Sequence, residues 1–197
     1  MDSEFRGHTG ELKHDSPGLL GLVRQFLRED EVKQLAEVYC EACRCGALNE
    51  SSVVRQPGIS YNPRPARICQ ILINECSEKG LRVLGAAMYA CAARNGESGS
   101  AFVEEWQIAS RVRMEISNYR DGHRFELTEV EEAIFLAVKL DELRHMHMTP
   151  LPEEHKRDVY RQVKEKLVPS IVHSSSSRLK ALIESWLNRF ERGMSRP

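Results

Sequence analysis

The chain has 197 residues, 41% hydrophobic and 29% charged, and its 28 Lys and Arg against 29 Asp and Glu leave a formal charge of −1. That length suits one domain, the apolar share excludes bulk disorder, and the near-neutral balance disfavours a binder held to nucleic acid or anionic lipid by its overall field. Met1 to Asp15 lack the apolar core of a secretory signal, and the longest apolar run, Val83 to Ala93, falls short of the roughly 20 residues a bilayer crossing needs. Six cysteines in no regular framework read as reduced thiols, so a cytoplasmic, non-membrane protein is expected.

Residues 1–15 carry few large apolar groups and predict a flexible tail, leaving 16–197 as a single helical domain. Ser16-Pro17 reads as a helix start, and the apolar spacing from Leu19 to Leu27 predicts a first helix over about 17–28. Val32 to Cys43 predict a second over about 30–45, closed at Gly46. An irregular connection rich in Gly, Asn, Pro and Ser follows over 46–62. Pro63 and Pro65 suit a first turn, so a third helix is expected over about 65–79 before Gly80.

The segment from Leu81 to Asn95-Gly96 is apolar on most faces, which marks the most buried helix. Phe102 to Ile116 predict a fifth helix, closed at Asp121-Gly122. Thr128 and Glu131 have capping-box spacing ahead of a sixth, about 129–147. Pro152 and Pro169 bracket a polar seventh helix, about 153–168, with a narrow stripe at Val159, Val163 and Leu167. After Ser174 to Ser177, the positions Leu179, Leu182, Ile183, Trp186, Leu187, Phe190 and Met194 give the clearest amphipathic face. Together these predict an all-α protein, an irregular globular bundle of seven to eight helices.

Few residues form a pattern that carries chemistry. Cys40, Cys43 and Cys45 could share a zinc ion, but no second Cys-x-x-Cys pair supplies the other half, and buried small hydrophobes are the simpler reading. Asp141 and Glu142 stand four and three residues before His145, a carboxylate–imidazole spacing that can hold a cation. A solvated helix end accounts for the same residues through the macrodipole, and His147 points elsewhere. No phosphate loop, dinucleotide fingerprint or hydrolase elbow occurs. Lys156, Arg157, Arg161 and Lys164 make a modest basic patch, but interleaved Glu153, Glu154, Asp158 and Glu165 read as i, i+4 stitching rather than a phosphate track.

The His14-Asp15 dipeptide in an all-helical chain of this size resembles the HD-type metal phosphohydrolases. The alternative expectation is a degenerate metal-dependent phosphohydrolase of that helical type, with a divalent ion held by Asp141, His145 and His123. Here the pair precedes the first helix, and the internal position where the family places it reads Ala90, Cys91, Ala92, Ala93. The expectation from the residues themselves is a non-catalytic interaction or regulatory module without a cofactor. It would bind a protein partner or a second copy of itself through Trp186, Leu187 and Phe190 on the last helix.

Overall fold

The computed structural model describes residues 17–42, 64–91, 103–118, 126–145, 152–172 and 174–194. Among these the chain is all-α, with eight helices and no strand. It divides into two compact units, 1–110 and 111–197. The expected tail, the whole 46–62 connection, Cys43, Cys45 and His123 lie outside the described residues.

The first unit holds α1 (Pro17–Val23), α2 (Glu29–Ala42), α3 (Arg64–Cys76), α4 (Leu81–Ala90) and the start of α5 (Val103–Asn118). Helix α4 is the buried element its composition predicts: every residue from Leu84 to Ala90 is buried, and α2 and α3 both pack on it. Gly85 lies where neighbouring helices approach α4 closely. A Cβ there would stand 3.1 Å from Glu105 Cγ, so the Glu105 side chain of α5 would have to shift by a few tenths of an ångström, while Val38 Cγ1 of α2 at 3.5 Å would be in ordinary contact. One turn further on, the Tyr89 ring meets the edge of Trp106 at 5.2 Å between centroids, a favoured aromatic geometry.

Two ends differ from the sequence expectation. Helix α1 stops at Val23 rather than near 28, because the Gln25 and Phe26 amides tighten to i−3 bonds with Leu22 and Val23. Helix α3 stops at Cys76, before Gly80. Ser77 takes the left-handed backbone, φ 59°, and the Glu78 amide turns back to donate to the Leu72 carbonyl at 3.1 Å.

The second unit holds the rest of α5, then α6 (Glu129–His145), α7 (residues 153–170) and α8 (Ser177–Met194). Thr128 and Glu131 form the capping box. The Thr128 amide donates to Glu131 Oε2 at 2.8 Å, and the Glu131 amide donates to Thr128 Oγ1 at 3.4 Å. Arg111 of α5 braces this start. Its Nε lies 3.3 Å from Glu131 Oε1 and its Nη2 donates to the Glu126 carbonyl at 2.7 Å.

From Ala133 to Asp141 every residue of α6 is buried, so this helix is covered all round and not on one face alone. Helix α8 packs along it and buries Leu179, Ile183, Leu187 and Phe190. At about 1.5–3 kcal/mol for each large apolar side chain, that seam is a main source of the unit's cohesion.

Helix α7 runs from Glu153–Gln162 through a π-helical stretch, Val163–Leu167, into Val168–Ser170. Pro169 was expected to stop it, yet lies inside the final turn. The wider turn, in which the Val168 amide reaches back to the Val163 carbonyl, makes room for a residue that has no amide hydrogen to give and whose ring crowds a regular turn. Tyr160, Val163, Leu167 and Ile171 form its buried stripe.

Candidate functional site

The acidic and histidine positions at the end of α6 are the first place to look for chemistry. Asp141 is buried at 1% exposure. Glu142 Oε2 accepts from the ammonium of Lys139 at 3.0 Å, so a cation already occupies one side of that carboxylate. The backbone of His145 ends the helix, and its proposed co-ligand His123 lies outside the described residues. Among the described residues no three His, Cys, Asp or Glu side chains are grouped to hold a metal ion.

The cysteines behave as small apolar groups. Cys69 is buried, its thiol donates to the Leu84 carbonyl at 3.5 Å, and loss of solvent pushes its pKa far up. Burial also pushes the Cys76 thiol up to about 11. A thiolate, the nucleophilic and metal-binding form, is disfavoured at both. Cys91, at the position compared with the hydrolase ligands, donates to the Ala87 carbonyl at 3.6 Å. Cys40 is half-buried on α2.

Two of the four residues in the basic patch of α7 are paired within their own helix. Lys156 bonds Glu153 at 2.7 Å and Arg161 bonds Asp158 at 2.6 Å, both i, i+3 pairs.

Helix α8 offers a site of a different kind. Its apolar stripe divides into two parts with different burial. Leu187 and Phe190, at 5% and 6% exposure, point into the unit with Leu179 and Ile183. Leu182 and Trp186, one turn apart on the flank of that seam, are only half-buried. The guanidinium carbon of Arg189 sits 5.3 Å from the Trp186 ring centroid, a cation–π contact between side chains three positions apart. Beyond them Arg178, Ser185 and Arg192 are exposed. Of the three residues the sequence singled out, Trp186 therefore lies at the surface margin, while Leu187 and Phe190 serve the packing of their own unit.

The opposite margin of α8 is closed by a clasp to α7. The rings of Tyr160 and Phe190 stack at 4.9 Å with 23° between planes. Glu191 accepts hydrogen bonds from the Tyr160 hydroxyl and from the Lys164 ammonium. Those two donors hold the Glu191 carboxyl below its ordinary value of 4.5, Lys164 first. The same bond to Glu191 holds Lys164 above 10.5, and the desolvated Tyr160 phenol is also raised.

A lowered carboxyl stabilises the fold fully above its unfolded value and loses that contribution as pH falls through the folded one; a raised ammonium does so in the opposite direction. The clasp is therefore intact between about pH 4.5 and 10.5 and loosens on the acid side as Glu191 protonates. Urea unfolding of the wild type and Glu191→Gln across pH is expected to differ near neutrality and converge below 4.5. A gap that persists at low pH would mean that packing, not this charge, holds the two helices there.

The sequence carried a signal for the α8 margin in the recurrence of Arg178, Leu182, Ser185, Trp186 and Arg189 at helical spacing. The Tyr160–Lys164–Glu191 clasp had none, since its members lie about thirty positions apart. No helix among the described residues is long and apolar enough to cross a membrane. Compared with known proteins, the chain matches no family model, no curated protein and no solved structure.

Proposed function

We propose that the chain is a non-catalytic protein-interaction module whose docking surface is the outer margin of α8. One observation carries this reading: the apolar stripe of α8 is wider than the part its own unit covers, which leaves Leu182 and Trp186 half-buried beside exposed Arg178 and Arg189. A half-covered Trp one turn from a Leu gives anchors at the spacing that helix-in-groove recognition uses, and Trp and Arg are the residue types that dominate interface energies. The Trp186–Arg189 contact adds preorganisation, because a partner need not freeze two mobile side chains on arrival. The buried, hydrogen-bonded thiol of Cys69 suits the reducing cytoplasm, where we place the protein.

The test is photo-crosslinking in cells from a benzophenone side chain at Ser185, in the middle of the margin, against one at exposed Lys33 on α2. A protein adduct of discrete mass from position 185 and not from position 33 is expected. Identical adducts from both positions, or none from 185, would overturn the reading.

A further inference from the structure

We propose that this α8 margin takes an acidic amphipathic segment, a helix of another protein that lays apolar side chains on Leu182 and Trp186 and carboxylates on Arg189 and Arg192. The inference rests on the docking reading above and adds the chemistry of the partner. At 100° per residue Arg189 and Arg192, both exposed, fall about 60° and roughly 4.5 Å apart, so they form a short cationic rail beside the two apolar anchors. The acidic residues of α8 lie on its other margin. Glu184 is half-buried there, and Glu191 accepts bonds from Tyr160 and Lys164.

A guanidinium rail beside a Trp–Leu pair is complementary to an anionic helix carrying apolar residues four positions apart, since Arg grips carboxylates with two parallel bonds. Arg189 lies over the Trp186 ring, which places its charge directly beside the apolar anchors. A nucleic acid fits less well. The chain as a whole is at −1 and offers no long-range pull on a polyanion, and the anchors beside the arginines are apolar.

The experiment is fluorescence anisotropy on the full chain with two labelled probes: a short amphipathic helix of Leu and Glu, and the same peptide with Lys in place of Glu. The Glu probe is expected to bind at least about tenfold more tightly at low salt, each tenfold being about 1.4 kcal/mol. Arg189→Glu with Arg192→Glu, confirmed folded by circular dichroism, is expected to invert that preference, and Trp186→Ala to weaken both probes.

Equal binding of the two probes, a preference for Lys, or a Glu preference untouched by the charge reversal would overturn the inference. So would tighter binding of single-stranded RNA or of phosphatidylserine vesicles than of the Glu probe. A specific adduct at Ser185 alongside any of these results leaves the docking reading standing while its acidic partner falls. No adduct and no probe binding removes both.

Discussion

Replacing Phe190 with alanine is expected to destabilise the protein by about 3–5 kcal/mol, while Trp186→Ala costs about 1 kcal/mol, although the two lie one turn apart on one helix. Phe190 is 6% exposed, stacks on Tyr160 at 4.9 Å and lies in the seam between α8 and α6. Truncation there leaves a void that neighbouring helices cannot fill, and it also takes away the ring that positions Tyr160 for Glu191. Trp186 is half-buried, so its ring loses less on removal, chiefly the contact with Arg189. Urea unfolding followed by circular dichroism checks the pair. Equal losses would place Trp186 in the core and remove the distinction between an inner and an outer face of α8.

The second large effect is expected at Lys139, which has 0% exposure inside a helix that is covered all round. Its stem lies within the packed interior, with the ammonium 5.9 Å from the Phe135 ring centroid and 3.0 Å from Glu142 Oε2. Lys139→Ala combines a cavity with a broken ion pair and is expected to cost about 3 kcal/mol. Lys139→Met keeps the volume, and the partly exposed Glu142 carboxylate can take water in place of the ammonium, so this variant is expected to stay within about 1.5 kcal/mol of wild type. Thermal and urea unfolding of the two variants separate packing from charge. A Met variant as unstable as the Ala variant would assign the main contribution to the ion pair.

What could be seen in the sequence was whatever is decided by neighbours. The Thr128–Glu131 box spans three residues, and both of its bonds form where the spacing placed them. The apolar density of Leu81 to Ala90 fixes it as a buried helix whichever elements surround it. Helix ends were harder. Nothing in Ser77 announces a left-handed residue, a conformation ordinarily left to glycine, and Gly80 lay three positions further on as the more natural stop. Pro169 is compatible with a helix only because the π-helical stretch before it widens the turn, and that widening has no sequence signature.

The same limit applies to α8 and to Lys139. Periodicity gives the width of the apolar stripe on α8, but which part is covered depends on Tyr160 of α7 and on α6, tens of residues away. Trp186, Leu187 and Phe190 were therefore indistinguishable as candidate anchors until their burial separated them. A lysine in an apolar helix ordinarily marks the solvent side. At Lys139 that inference fails because α6 has no solvent side along this stretch.

The most direct measurement of the account replaces Leu182 and Trp186 together with serine and reads folding and docking in the same protein. The melting transition is expected to move by only a few degrees, as for side chains on a margin, while the adduct formed from Ser185 disappears. A chain that unfolds as readily as Phe190→Ala, or one that keeps the adduct intact, would contradict the division of α8 into a face that holds the fold and a face that binds.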